Sequence, residues 1–239
     1  KQIGEPLQAL KEVLANIRSL DLLSPEHLRQ RTRDSAGHLG LGGQKLSAYL
    51  HEQGSEVRQR LLEKLQHAYP QLASIDTRSL RSGWKHLDIA EQFSGKVLST
   101  PARHVNDGLL RLLAVLSQLA SDEHFLLFDE IENGINPELV EFLVDALVES
   151  EHQVMVTTHS PVILNYLEDE VAKQGVIYLY KNAKGATQSI RLFEIPSLAE
   201  KLQFMGPGEA FIDTQLTELA TEIQSLSAKG GKDVSAAKR

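Results

Sequence analysis

The stretch Phe125-Leu126-Leu127-Phe128-Asp129-Glu130 decides how this chain is read. Four consecutive apolar residues predict a short strand buried on both faces, as in a parallel sheet. The two carboxylates then stand at its carboxyl end, where open α/β sheets bind their ligands. A second apolar run, Gln153 to Thr157, leads into Thr157-Thr158-His159-Ser160-Pro161, and helical spacing fills Glu138 to Leu147 between them. Strand, helix and strand in that order need a crossover connection, which makes the two strands parallel. The second half of the chain is therefore expected to be α/β.

Each of these strand ends carries a chemical possibility. An aspartate at the position of Asp129 suits a ligand of Mg²⁺, and the adjacent Glu130 suits a group that polarises an attacking water. His159, thirty residues after Asp129, ends the neighbouring strand, within reach of a terminal phosphate. Upstream, Asn106 to Ala120 carries Leu109, Leu112, Leu113, Leu116 and Leu119 and reads as a strongly apolar helix. It opens on Val105-Asn106-Asp107-Gly108, and a small polar cap followed by glycine leaves amides and helix dipole facing an anion.

Working outward, Leu7, Leu10, Leu14 and Ile17 predict an amphipathic helix over 6–19. Ser24-Pro25-Glu26 has the form of a helix start, and the four glycines of Gly37–Gly43 mark a loop. Two more helices follow up to Tyr69, where Pro70 ends them. Trp84, Leu87 and Ile89, then Val97, separated by Ser94-Gly95-Lys96, predict a hairpin with Trp84 in its core. Beyond His159, strands are expected at Val176–Tyr180 and Ser189–Phe193, and a helix at Glu209–Leu226. The expected organisation is a mostly helical subdomain at 1–81, an α/β lobe at 82–226 and a disordered tail at 227–239.

Composition narrows the options. The chain has 239 residues, 41% hydrophobic, enough to fill a core, and a net charge of −7. It has no cysteine, which excludes a disulfide scaffold and a cysteine nucleophile. Its longest apolar runs fall short of a membrane span. The charge is uneven: residues 1–100 balance at +3 and residues 101–239 at −10. The acidic trio Glu168-Asp169-Glu170 fits a solvated helix end.

In their order and spacing, these motifs resemble the second half of an ATP-binding-cassette (ABC) ATPase head. Asn106-Asp107-Gly108 resembles the signature motif, Asp129-Glu130 the Walker B carboxylates, Asn133-Gly134-Ile135-Asn136-Pro137 the D-loop and His159 the switch histidine. More narrowly, Asp-Glu-Ile-Glu-Asn-Gly-Ile-Asn-Pro and Thr-Thr-His-Ser-Pro resemble the AAA/ABC-type ATPases of bacterial anti-phage defence modules, relatives of the RecF, SMC and OLD families. Gly40 to Leu46 and Gly206-Pro207-Gly208-Glu209 fit the same layout. Asparagine stands at 106 where the family has serine, and at 136 where histidine is frequent; neither change removes a charge.

The resemblance implies a P-loop NTPase lobe, a parallel sheet with flanking helices. It would hydrolyse ATP with Mg²⁺, with Asp129 on the metal, Glu130 and His159 catalytic, and Asn106, Asp107, Gly108 and Asn136 binding nucleotide. It also implies a dimer with a second ATPase subunit, with DNA, an effector protein or a nuclease as further partners, in the cytoplasm and away from membranes. An ATP-gated clamp or scaffold, or a transporter ATPase subunit, are the alternative expectations. Arg111, Arg103 and His104, close to the signature, are candidates to meet phosphate or a partner subunit.

No Gly-x-x-x-x-Gly-Lys-Ser/Thr loop occurs in the chain: Gly43-Gln44-Lys45-Leu46, Gly95-Lys96-Val97 and Gly231-Lys232-Asp233 each fail the pattern. Together with the first residue being Lys1, this leads to the expectation that the Walker A and Q-loop segments precede residue 1.

Overall fold

In the computed structural model, which describes residues 5–22, 24–182 and 184–236, the chain divides into Lys1–His159 and Ser160–Arg239. The division falls at the end of the second apolar strand rather than at 81/82. The reason is that the first segment lends a strand to the central sheet.

That strand is a correction to the expected 6–19 helix. Helix α1 (Glu5–Ala15) stops at Ala15, and β1 (Ile17–Leu20) pairs in parallel with Phe125–Phe128, residue for residue. Helical spacing carries Ile17 into the pattern of Leu7–Leu14. Pairing against an apolar neighbour strand outweighs that local preference.

After β1 come α2 (Pro25–Leu28), the glycine loop, α3 (Leu46–Glu52) and α4 (Gly54–Ala68), all as expected. The loop is tied to the end of β1 by the Asp21 amide, which donates to the Leu41 carbonyl at 2.8 Å. The hairpin of β3 (Lys85–Phe93) and β4 (Lys96–Pro101) is flanked by β2 (Leu72–Ser79), giving an antiparallel sheet in the order β2-β3-β4. Trp84 is exposed just before β3, with the Arg33 guanidinium 5.2 Å above its ring, and not in the hairpin core.

Helix α5 (Asp107–Leu119) is the hub of this unit: every residue from Gly108 to Gln118 is buried. A helix apolar on all sides is stable only inside a core, and each buried leucine contributes about 1.5–3 kcal/mol. Then follow β5 (Phe125–Phe128), α6 (Val140–Val148) and β6 (Gln153–Val156). Strands β1, β5 and β6 form one parallel sheet in the order β1-β5-β6. The outer edge of β6 has no strand partner among the described residues, and its Met155 is 47% exposed.

The second unit contains α7 (Asp169–Gly175), a hairpin of β7 (Ile177–Lys181) and β8 (Thr187–Arg191), α8 (Pro196–Lys201), α9 (Pro207–Ile212) and α10 (Leu216–Ala236). Leu192, Phe193, Ile195, Leu198, Leu219 and Ile223 make its core. The expected helix at 209–226 is split into α9 and α10 at residues 213–215, and Asn165 Oδ1 accepts the amides of Gly208 and Glu209 at the start of α9. The α10 backbone continues to Ala236 through most of the expected 227–239 tail, whose last three residues lie outside the described residues.

Candidate functional site

All the expected site residues lie in the first unit, in two clusters. The first stands at the carboxyl ends of β5 and β6. The Asp129 amide donates to Leu20 O at 3.1 Å and the Thr157 amide to Phe128 O at 2.9 Å, so both strand ends are held by the ladder itself. The Thr157 hydroxyl is the hinge of the cluster. It donates to Asp129 Oδ1 and accepts from the Glu130 amide at 2.9 Å.

Glu130 leaves the strand with φ +45°, a left-handed conformation uncommon outside glycine, costing about 1–2 kcal/mol. Its Oε2 accepts from Asn133 Nδ2 at 3.1 Å, and its Oε1 lies 3.5 Å from His159 Nε2. The histidine is 85% exposed, so this pair faces solvent. Glu132 supports the same turn from behind: its Oε1 accepts from Thr158 Oγ1 at 2.8 Å and from the His159 amide at 3.3 Å. Thr157 and Glu132 carry this geometry although no sequence pattern singles them out as site residues.

The second cluster is the opening of α5. Asn106 Oδ1 accepts from the Leu109 amide at 2.8 Å, which is an N-cap worth about 1 kcal/mol. Arg29, from the end of α2, donates to the Val105 carbonyl at 2.8 Å and is paired with Asp107. Gly108 faces the D-loop so closely that a Cβ there would come within 3.1 Å of the Gly134 carbonyl. Asn136 sits at the end of that loop, and its carbonyl accepts from the Leu139 amide at 2.8 Å.

Arg111 joins the two clusters. It is only 5% exposed. A Cβ on Gly134, whose φ is +71°, would come within 3.0 Å of Arg111 Nε. The same side chain lines a cavity of about 10 Å³ together with Phe128, Asp129 and Glu130. Burial lowers the Arg111 pKa, and the carboxylates of Asp107, Asp21 and Glu130 act against that. Arg103 and His104 are instead exposed and bond each other, Arg103 Nε to His104 Nε2 at 2.9 Å.

Among the described residues no group of three or more His, Asp or Glu side chains is arranged to hold a metal alone. Asp129 with the Thr157 hydroxyl beside it nevertheless fits Mg²⁺. That ion takes hard oxygen ligands and is commonly held by one or two carboxylates, with water and substrate phosphates completing the shell. No helix among the described residues is long and apolar enough to cross a membrane.

Among solved structures, the chain is similar to one from work on the structural biochemistry of ATP-driven dimerization and DNA-stimulated activation of SMC ATPases. The match covers 62% of this chain and 92% of that one at 18% identity, with a TM-score of 0.44. The Smc head domain with coiled coil and joint from Pyrococcus yayanosii matches at 17% identity and TM-score 0.44, over 63% of this chain and 29% of its own. The Pyrococcus furiosus Smc head bound to the C-terminal domain of ScpA matches at 18% and 0.43, over 62% and 37%. None of the curated proteins compared with the chain matches it. A family model described as "AAA domain, putative AbiEii toxin, Type IV TA system" matches residues 7–165, about two thirds of the chain and all of the site just described. The chain therefore belongs to this AAA-domain ATPase family, with the α/β fold of the P-loop NTPases.

Proposed function

We propose that this chain forms the signature, Walker B and switch part of an ABC-type ATPase that hydrolyses Mg-ATP in a head-to-tail dimer. The observation that carries the reading is the Thr157 hydroxyl bonded to both Asp129 and the Glu130 amide, with His159 3.5 Å from Glu130. Asp129, Glu130 and His159 share one sheet edge, which supports reading them as a metal-binding carboxylate, a base and a phosphate-sensing histidine.

Each group has a distinct task. Asp129 would hold Mg²⁺, with Thr157 fixing the orientation of the carboxylate, and the ion would supply positive charge to offset that of the phosphates. Glu130 orients the attacking water and takes its proton, and Asn133 steadies the carboxylate for that. His159 donates to the γ-phosphate. Asn106, Asp107 and Gly108, with Asn136, face the nucleotide held by the second subunit, where the open end of α5 supplies amides for the phosphate. The edge of β6, which has no strand partner among the described residues, suits a further strand that carries the phosphate cradle. The turnover serves a DNA-related or anti-phage process in the cytoplasm, with an effector protein or DNA as partner.

Steady-state ATP hydrolysis by the full-length protein with Mg²⁺ tests the reading. Glu130→Gln is expected to lower kcat by about 10²–10⁴-fold, the size of a general-base contribution, while ATP-dependent dimers persist on sizing. Wild-type protein without Mg-ATP turnover, or a Glu130→Gln variant as fast as wild type, would overturn it.

A further inference from the structure

Three backbone and side-chain groups meet without slack beneath the α5 opening. Gly108 and Arg111 are three residues apart and so lie on one face of the helix. The Gly134 peptide rests on that face: its carbonyl lies 3.1 Å from where a Gly108 Cβ would be, and its own Cβ position is 3.0 Å from Arg111 Nε and 3.2 Å from Cζ. At its other side the Arg111 side chain lines the small cavity that Asp129 and Glu130 also line.

We infer that Arg111 is a positioning residue that couples the two nucleotide sites of the dimer, by linking the α5 opening and Gly134 to the carboxylates at the end of β5. This rests on the dimer reading above. In that dimer Asn106–Gly108 meet the partner's nucleotide, whereas Asp129 and Glu130 serve the chain's own. One buried cation thus lies against the Gly134 peptide on one side and shares a small cavity with Asp129 and Glu130. Close-packed interiors transmit a small displacement rather than absorb it. Nucleotide engaging the α5 opening shifts the Gly134 peptide against the guanidinium, and the guanidinium in turn shifts Glu130. Occupancy of one site then changes turnover at the other, and the coupling is reciprocal for binding.

The test is the ATP dependence of hydrolysis by the full-length protein. With two coupled sites the wild type is expected to show a Hill coefficient of about 1.5–2, falling to about 1 in Arg111→Met, which keeps a long buried side chain without the planar fork. Gly134→Ala pushes on the guanidinium without removing it, is expected to lower the coefficient in the same way, and carries the test if Arg111→Met fails to fold. A merely structural role would reduce the amount of active enzyme and leave the coefficient untouched. A wild-type coefficient near 1, or either folded variant with the wild-type coefficient, overturns the coupling. A Glu130-dependent, cooperative wild type whose Arg111→Met remains cooperative sinks this inference alone. Absence of Mg-ATP turnover sinks the ATPase reading itself.

Discussion

The carboxyl edge of the sheet and the opening of α5 are built on opposite terms. At the sheet edge, His159 stands in solvent and Glu130 is held through one amide and one asparagine, around a single hydroxyl. At the α5 opening, Asn106 caps the helix, Arg29 clamps Val105 and Asp107, and Gly108 packs tightly against the D-loop, a Cβ there coming within 3.1 Å of the Gly134 carbonyl. Under the proposed function, hydrolysis needs water and a mobile phosphate at the first, and recognition of an anion needs amides fixed in advance at the second. The proposal thus assigns chemistry to the open, lightly held cluster and recognition to the locked one.

Substitutions at the two places should separate activity from stability. Among the supporting residues the largest effect is expected for Thr157→Val, which keeps the shape but removes the hydroxyl serving Asp129 and Glu130. ATP turnover should fall about 10–100-fold, the usual cost of losing an outer support of a metal site. Its melting temperature should move little; a variant that unfolds while retaining specific activity would reverse the assignment.

Arg29→Ala should behave in the opposite manner. It leaves the Val105 carbonyl and Asp107 without their guanidinium, at a cost of about 1.5–3 kcal/mol in denaturant unfolding. If the unfolding midpoint does not move, the α5 opening is not locked from that side. Asn106→Ala removes only the cap and should cost about 1 kcal/mol by the same measurement. An effect on turnover with none on stability would move Asn106 to the reactive side of the comparison.

The smallest effect is a pH dependence away from both clusters. His86 is buried on β3 beside Asp88 Oδ1 at 3.0 Å, and burial lowers its pKa from 6.5 even though Asp88 pulls it upward. In the window between the lowered value and 6.5, the unfolded chain binds the proton that the folded chain refuses. The contribution to stability is thus complete above 6.5 and is lost as pH falls toward the lowered value. His86→Gln should flatten the slope of stability between pH 7 and 5; an unchanged slope would remove His86 as its source.

Much of the sheet edge was legible because local rules and the tertiary outcome agree there. Phe125–Phe128 and Gln153–Val156 are short apolar runs that fit strands and not helices, although the side chains of the second stay largely exposed, and Asn106 before a leucine-rich run is a cap wherever it folds. Ile17–Leu20 was not legible, since its isoleucine continues a helical spacing and only the partner strand overrules it. Strand β2 has no clear sequence pattern because its Leu72 and Ile75 are interspersed with Ser, Asp, Thr and Arg, and its identity comes from register with β3. Trp84 looked like core by size alone, yet it ends up outside under Arg33.

The sequence by itself determined the chemistry on offer: Asp129, Glu130 and His159 at strand ends, Asn106–Gly108 at a helix start, and no phosphate-cradling loop among the 239 residues. Only the tertiary structure decided which groups act on which. Arg29 reaches Asp107 across 78 positions of sequence, and Arg111 turns inward to lie against Gly134 instead of facing solvent. Such pairings leave no periodic trace, because a buried charge is placed by whatever packs around it after the helices and strands have formed.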